Sequence, residues 1–255
     1  MRPVLVARIS LYLLLIAGGL GAGSSNATVL DAAAVECNAP SDASRPQYIV
    51  GYGSLMQEDS RRRTSPRAGP PHPVDLSGYK RGWFSRPDVV GFSTTFLGAV
   101  RETQSHLNAV VYEVDAEELR ATDKREASYC RALVARQELS VLERGFDLPA
   151  SAQVWIYVSP ARRVAAPTAD YPIVQSYVDI FVSGCLEQEQ RFGLPGFAED
   201  CLVTTSGWSE HWVNDRIYPR RPFVYQPKAW QIDRLLAARL PEAFSRIRIE
   251  GRQAP

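Results

Sequence analysis

The sequence predicts an α+β protein, in which a small mixed β-barrel with flanking helices is followed by a helical C-terminal extension. Two observations predict this class. Short apolar or alternating runs, separated by polar and proline-rich links, continue as far as Ser159. From Tyr171 onward, apolar residues recur instead at steps of three and four, as they do along one face of a helix. Strands followed by helices favour one sheet with helices packed on its outside.

The predicted strands lie in the first two thirds of the chain. They cover residues 48–52, 74–84, 93–100, 106–114, 129–139 and 152–159. The polar link RETQS predicts that the third and fourth strands form a hairpin. A short helix to about Lys124 is predicted after Asp115, because Glu118 follows Asp115 at the spacing of a capping box. The Glu118 side chain is expected to face solvent as part of this cap.

The last third of the chain is predicted to be helical. The clearest helix covers residues 171–186, and shorter ones are predicted for residues 208–217 and 228–240. We expect the strand-rich part, residues 47–160, and the helical extension, residues 161–255, to share one core. A loose polar and alanine-rich lead-in, residues 28–46, precedes them.

The N-terminus has the pattern of an export signal. Arg2 and Arg8 precede the apolar run ISLYLLLIAGGLGAG, and small residues follow it as far as Ala27. A charged, an apolar and a small-residue region in this order predict a signal peptide over residues 1–27. The protein is therefore expected to be secreted or periplasmic, without stable membrane association after cleavage. An uncleaved membrane anchor is the alternative.

Export affects the interpretation of the cysteines. Cys37, Cys130, Cys185 and Cys201 allow three pairings, and an oxidising compartment favours disulfides. Cys185 and Cys201 are the expected pair, because they close a short loop. The alternative for Cys130 is a small buried apolar side chain. Neither a C-x-x-C motif nor paired histidines occur, so no metal site is predicted.

Composition and charge exclude several classes of function. Of 255 residues, 45% are hydrophobic and 22% charged, and the net charge is +1. These values are typical of a globular protein and indicate no affinity for nucleic acid or for an anionic membrane. The basic clusters at residues 61–63, 162–163 and 220–221 are most simply solvated surface, and a binding role is the alternative.

The stretch GYGSLM, residues 51–56, has three chemical interpretations besides a plain tight turn. A dinucleotide-binding loop requires a third glycine where Met56 stands. A hydrolase nucleophile requires G-x-S-x-G, whereas Ser54 directly follows Gly53. A cradle of backbone N–H groups for a carboxylate or an oxyanion needs only small residues after a strand, which this stretch supplies.

Three segments together resemble the γ-glutamylcyclotransferase-like superfamily, which includes γ-glutamylcyclotransferase itself, the ChaC glutathione-degrading enzymes and the AIG2-like proteins. They are GYGSL at residues 51–55, VVYEVDAEELRATDKREASYCRAL at residues 110–133, and VWIYVS at residues 154–159. The resemblance covers residues 48–159 and implies a small mixed β-barrel. It departs from the family at Ala127 and Ser128, where many relatives have other residues, and in the helical extension.

The resemblance also implies the site residues. The catalytic carboxylate falls on Glu126, in the stretch KREASY. The substrate-binding residues that it implies are Tyr52, Gly53, Ser54, Leu55, Tyr129 and Tyr157. As a base, Glu126 should lie in a partly desolvated cleft with a raised pKa. Tyr129 and Tyr157 are expected to donate hydrogen bonds to the substrate, and Arg61 is a candidate counter-charge for its carboxylate.

The expected partner is a small-molecule γ-glutamyl substrate. Its α-amine attacks its own side-chain amide to form 5-oxoproline, so an enzyme gains most by holding the folded conformer. One carboxylate can serve as base and then as acid, and backbone donors can hold the oxyanion. No cofactor or metal is expected. Two alternatives remain, namely a non-catalytic binding module of the same fold and a secreted amidase that uses Ser54.

Overall fold

The computed structural model describes residues 36–87, 93–221 and 228–250. The strands are β1 Gln47–Gly51, β2 His72–Ser85, β3 Phe96–Val114, β4 Cys130–Leu133, β5 Leu139–Val141, β6 Gln153–Val158, β7 Ile173–Val174, β8 Thr205–Ser206, β9 Trp212–Asn214 and β10 Arg248–Ile249. The α-helices are α1 Glu58–Arg62, α2 Ala116–Arg125, α3 Gln175–Phe192, α4 Phe197–Val203, α5 Ala229–Arg239 and α6 Pro241–Ser245. The predicted signal peptide lies outside the described residues.

The main sheet is mixed, as predicted. Its strands are ordered β4-β6-β1-β3-β2-β5, and β8 pairs with β2 as a short additional strand. The β1/β6 and β2/β8 pairs are parallel, and the other pairs of this sheet are antiparallel. The α+β class is therefore confirmed. Closure into a barrel is not, because no pairing joins β4 to β5 among the described residues.

The sheet buries side chains on both faces. On β1, Ile49 belongs to one hydrophobic cluster, while its neighbours Tyr48 and Val50 belong to the other. The first cluster packs the sheet against α3, α4 and α5. The second contains side chains of strands and connections only, so the sheet curls over its own residues. This alternation follows the two-residue period of a strand.

The N-terminus of α2 is capped as the sequence predicts. Asp115 Oδ1 accepts hydrogen bonds from the N–H groups of Glu117 and Glu118 at 2.9 and 2.8 Å. The prediction that Glu118 faces solvent is wrong. Its side chain is buried and accepts a hydrogen bond from the Arg67 N–H at 2.6 Å. A well-placed backbone donor makes burial of this carboxylate possible.

The predicted hairpin between residues 93–100 and 106–114 is wrong. Both segments belong to the single strand β3, which pairs with β2 along most of its length. The polar link stays extended because its side chains have partners on neighbouring strands and turns. Arg101 forms an ion pair with Glu138, and Glu102 accepts from Lys80 at 3.3 Å.

Two other predicted elements differ from the structure. Residues 129–139 are not one strand, because a 3₁₀ turn over Arg136–Glu138 separates β4 from β5 at opposite ends of the sheet. Residues 208–217 are not helical. There β9 pairs in parallel with β7 and β10, and the ring of Trp212 stacks on Trp208 at 5.1 Å between centroids. These tertiary contacts override the local helical pattern. The helices predicted for residues 171–186 and 228–240 are confirmed as α3 and α5.

All four cysteines are paired. Cys185 forms the predicted disulfide with Cys201, and it joins α3 to α4. Cys37 is bonded to Cys130, so the alternative of a free apolar Cys130 is wrong. This second bridge links the segment before β1 to the start of β4.

We expect Cys37→Ala to lower the free energy of unfolding by about 3 kcal/mol, because removing the bridge frees a long loop in the unfolded chain. Cys37 is exposed, so its truncation removes little packing and isolates the cross-link. Urea unfolding under non-reducing conditions measures the difference. If the variant and the wild type unfold at the same urea concentration, the bridge does not stabilise the fold.

No helix within the described ranges combines the length and the apolar character needed to cross a bilayer. The predicted anchor alternative concerns residues 1–27, which lie outside those ranges.

Candidate active site

A glycine-containing loop follows β1 directly. Ser54–Met56 form one 3₁₀ turn, and the Met56 N–H donates to the Gly53 carbonyl at 3.0 Å. The N–H groups of Ser54 and Leu55 open this turn, so they have no acceptor within it. The loop therefore has the form of a backbone cradle, with donors available for an anionic group.

Helix α3 packs closely against this loop. A Cβ atom placed on Gly184 would lie 2.6 Å from the backbone nitrogen of Gln57, so only glycine allows this approach. Gln188 Nε2 also donates to the Met56 carbonyl at 3.0 Å. The helical extension thus fixes the position of the loop.

Arg61 stabilises the loop from inside the protein. It is 1% exposed, and its Nη1 donates to the carbonyls of Leu55 and Met56 at 3.2 Å each. Its Nη2 is buried without a partner among the described residues. Arg61 is not among the described residues that line a cavity with Glu126, so the structure gives no support to the hypothesis that it meets a substrate carboxylate.

Glu126 lies at the C-terminal end of α2. Its N–H donates to the Thr122 carbonyl, and its carbonyl accepts from the Tyr129 N–H, both at 2.8 Å. The backbone is thereby held in a turn between α2 and β4. Its side chain is 16% exposed and points to the loop after β1, with which it shares a cavity.

The pKa of Glu126 is raised, mainly because burial disfavours its charged form. Arg125 and Arg221 oppose this effect, and Arg125 Nε lies 3.1 Å from Glu126 Oε1. The raised pKa has the direction expected of a general base near its working pH.

Arg125 ties Glu126 to the loop. Its Nη1 donates to the Ser60 carbonyl and Thr64 Oγ1 at 2.7 and 3.0 Å. Its Nη2 donates to the hydroxyls of Ser54 and Ser60 at 3.1 Å each. Together with the contact between Nε and Glu126, these bonds give every N–H of the guanidinium a partner. Arg125 is thus a fixed connection between α2 and the loop.

The structure brings the predicted site residues together. An inner cavity of about 30 Å³ is lined by every one of them, namely Tyr52, Gly53, Ser54, Leu55, Glu126, Tyr129 and Tyr157. An adjoining outer cavity of about 220 Å³ shares Ser54, Glu126 and Tyr129 with the inner one. Its described lining also includes Arg125 and Arg221. A carboxylate-sized group fits the inner cavity, and a larger group fits the outer one.

The tyrosine hydroxyl groups already donate within the protein. Tyr129 donates to the Leu97 carbonyl at 2.9 Å, Tyr157 to Asp123 Oδ1 at 2.8 Å, and Tyr52 to the Tyr157 carbonyl at 2.6 Å. The predicted donor role of Tyr129 and Tyr157 towards a substrate stays a prediction, and it would require each hydroxyl to leave its present acceptor. Their oxygens keep lone pairs, which can accept from a ligand's ammonium group.

Several residues of the cavities escaped the sequence analysis. Tyr177 lines both cavities, although its helical spacing marked it as an ordinary core residue. Phe96 and Arg221 line the outer cavity. The only sequence signal for Arg221 is the Arg220-Arg221 pair, whose simplest interpretation is solvated surface. Long-range packing, not a local pattern, brings these residues to the site.

The described lining of the two cavities contains no histidine. His72 contacts Glu143 at 2.6 Å and His106 contacts Asp75 at 3.5 Å, both away from Ser54. In the described ranges, no group of three histidine, cysteine or acidic side chains is placed to hold a metal ion. Ser54 therefore lacks the imidazole partner that commonly activates a serine nucleophile.

Comparison with known proteins gives similarities to solved structures only. One is an uncharacterized human protein, with a TM-score of 0.48 and 15% identity over 63% of this chain and 88% of that chain. Another is a γ-glutamyl cyclotransferase, with a TM-score of 0.46 and 14% identity over 76% and 99%. A third, from yeast, is a γ-glutamyl cyclotransferase specific to glutathione, with a TM-score of 0.36 and 13% identity over 62% and 97%. No family model and no curated protein matches the chain.

Proposed function

We propose that this chain is a γ-glutamylcyclotransferase-type enzyme, which cyclises a γ-glutamyl group to 5-oxoproline and releases an amine. One observation carries the proposal, namely that Glu126 lines the same inner cavity as Gly53, Ser54 and Leu55 of the loop. This reaction needs a base that transfers protons between the two nitrogens and donors that stabilise the oxyanion, and a buried carboxylate beside a cradle of backbone N–H groups can supply both.

The reaction is an intramolecular transfer. The α-amine attacks the side-chain amide carbon, a new C–N bond forms, and the carbonyl oxygen becomes an oxyanion. The old C–N bond then breaks and the carbonyl reforms. The attacking nitrogen loses two protons from its ammonium form, and the leaving nitrogen gains two. Glu126 can carry these protons one at a time, so the balance closes without a cofactor.

The polar groups of a γ-glutamyl substrate have complementary groups in the lining of the inner cavity and beside the outer cavity, since Glu126 and Tyr129 line both. The N–H groups of Ser54 and Leu55 suit an α-carboxylate or the oxyanion. The substrate's ammonium group requires acceptors, which the Glu126 carboxylate and the oxygens of Tyr129 and Tyr157 provide. A substrate held in this way is folded towards attack, which is the main contribution that an enzyme can make to a ring closure.

The test is release of 5-oxoproline by the purified protein with both disulfides formed. The substrates are γ-glutamylalanine, γ-glutamylethylamide, γ-glutamyl-ε-lysine and glutathione, and chromatography of the products measures turnover. We expect release from at least one of them. If no compound is turned over, a non-catalytic binding module becomes the better description.

A Ser54→Ala variant separates this proposal from a serine amidase. Ser54 Oγ accepts only one of the Arg125 hydrogen bonds, and Arg125 keeps its bonds to Ser60 and Thr64. We therefore expect 5-oxoproline release to stay within about tenfold of wild type, since the backbone cradle survives. A serine nucleophile would instead lose a factor of about 10⁶. Loss of that size would support the amidase.

We also propose that the protein is exported. The pattern of residues 1–27 supports this, as does the pairing of all four cysteines in two disulfides. Separation of a tagged protein into secreted, periplasmic, membrane and cytosolic fractions tests it, with N-terminal sequencing to find the cleavage site. An uncleaved chain in the cytosol would contradict the proposal.

A further inference from the structure

Arg221 is a positioned cation in the wall of the outer cavity. Its guanidinium carbon lies 5.4 Å from the ring centroid of Phe96 and 5.3 Å from that of Tyr177. Its backbone N–H donates to Ser176 Oγ at 3.2 Å, which joins it to the first turn of α3. Stacking on two rings limits the orientations that the guanidinium can take.

The hydrogen-bonding capacity of Arg221 is unused among the described residues. Its Nε is buried without an acceptor, and no described carboxylate lies within ion-pair distance of its guanidinium. Arg125, the other cation of the outer cavity, is fully occupied by Ser60, Thr64, Ser54 and Glu126. An anionic group that enters the outer cavity therefore meets, in its described lining, one cation free to bind it, and a carboxylate matches the geometry of that guanidinium.

The sizes and linings of the two cavities suit different ends of a substrate, the glutamyl end in the inner cavity and the leaving group in the outer one. The inner cavity holds only a small group, and its backbone donors suit the glutamyl end. The scissile bond must then lie near Glu126, which lines both cavities. The leaving group consequently extends into the outer cavity, whose described wall includes Arg221.

Resting on the proposed function, we propose that Arg221 determines leaving-group specificity by binding a carboxylate on the released amine. In a γ-glutamyl amino acid, this carboxylate is one carbon from the leaving nitrogen. Glu126 serves that nitrogen while Arg221 binds the carboxylate. The preferred substrates are therefore γ-glutamyl amino acids rather than γ-glutamyl amines of equal size.

The test uses two ligands that differ only in this carboxylate, γ-glutamylalanine and γ-glutamylethylamide. Their affinities are measured by calorimetry for Glu126→Gln protein, which is used to prevent turnover, with and without Arg221→Gln. We expect Arg221→Gln to weaken γ-glutamylalanine binding by about ten- to a hundredfold, the range for a hydrogen bond to a charged group. Binding of γ-glutamylethylamide should change by less than about threefold, because its amine half has no carboxylate for Arg221 to bind.

Arg220→Gln is the matched control. It removes the same charge one residue away, and the Arg220 guanidinium is engaged by Glu250. It should leave both affinities unchanged. Arg221→Lys keeps the charge without the forked geometry and should give an intermediate loss. Thermal unfolding verifies that each variant is folded. If Arg221→Gln does not fold, the comparison of the two ligand affinities is made with Arg221→Lys instead.

Equal weakening of both ligands would place Arg221 at the glutamyl end and overturn the proposal. No weakening of either, or no binding of either to the Glu126→Gln parent, would overturn it as well. Carboxylate-selective binding that depends on Arg221, in a protein whose wild type releases no 5-oxoproline, would sustain the role of Arg221. It would at the same time refute the cyclotransferase activity.

Discussion

We expect Glu126→Gln to reduce 5-oxoproline release by at least about a hundredfold, the usual effect of losing a general acid–base group. Glutamine has nearly the shape of glutamate and can still accept from Arg125 Nε, so the cavity should keep its form. It cannot carry a proton between the two nitrogens. The loss should therefore appear in kcat, in addition to any weakening of substrate binding from the lost charge beside the ammonium group.

The pH dependence of activity follows from the raised pKa of Glu126. Burial is the main cause of this rise above the ordinary value of 4.5. A base must be deprotonated to act, so kcat/KM should fall as the pH decreases through the raised pKa. The acid limb of the profile should thus lie above pH 4.5 in the wild type and be absent from any residual activity of Glu126→Gln.

Stability should change in the opposite sense to activity. Because the folded pKa is raised, Glu126 favours folding below its unfolded pKa, and that contribution is lost as the pH rises through the folded pKa. Glutamine is neutral throughout. At pH 7 the Glu126→Gln variant should therefore be at least as stable as wild type, and this relative gain should disappear near pH 4. Urea unfolding at both pH values measures it.

Glu117→Gln is the control for charge removal on α2. Its side chain is 75% exposed and faces Arg67 on the surface, so activity and stability should remain near the wild-type values. If Glu126→Gln unfolded more easily at pH 7 and lost activity in proportion, Glu126 would be a structural residue. If it kept full turnover, another group would have to be the base.

The second large effect is expected for Arg81→Met. Arg81 is fully buried on β2, and its guanidinium donates to backbone carbonyls of three separate segments. The acceptors are the carbonyls of Tyr52, Asn108 and Cys201, at 3.1, 2.8 and 2.9 Å. It thereby joins the loop after β1, strand β3 and helix α4. Burial lowers its pKa to about 9, which leaves it charged at pH 7.

Methionine fills a similar volume but donates no hydrogen bond. Three buried carbonyls then lose their donor, and each such loss costs about 1–3 kcal/mol. Release of a buried charge offsets part of this cost. We expect a net loss of about 4 kcal/mol in the free energy of unfolding, or about 8–16 °C in Tm.

Calorimetry or urea unfolding measures this loss, with Arg62→Met as the control. Arg62 is half-exposed and pairs with Glu58 on the surface, so its replacement should cost less than about 0.5 kcal/mol. A loss below about 1 kcal/mol for Arg81→Met would mean that the desolvation cost of the charge cancels its hydrogen bonds.

Local features of the chain were readable in advance because neighbouring residues fix them. Asp115 caps α2 by accepting hydrogen bonds from residues that follow it directly in the chain. The apolar spacing of residues 171–186 favours a helix whatever that helix packs against, and α3 forms there. The Cys185–Cys201 bridge closes a short loop. Such features depend on a few adjacent residues, so pattern and spacing suffice to predict them.

Predictions failed where a distant partner decided the outcome. The polar link at residues 101–105 became part of β3 because partners lie on β2 and near Glu138. Residues 208–217 contain strand β9 instead of a helix, because β7 and β10 lie on either side of that strand. Arg61 is buried and donates to carbonyl groups of the loop, and it does not line the described cavities that contain Glu126. None of these partners is visible in the local sequence.

The sequence by itself determined the strand before the glycine loop, the capped helix ahead of Glu126, and the chemistry that the two together suggest. Only the tertiary structure decided that they face one cavity, that Arg125 joins them, and that Tyr177 and Arg221 complete its walls. The physical reason is that a local pattern fixes which side of an element is apolar. Which elements then meet is set by burial and hydrogen bonding across the whole fold.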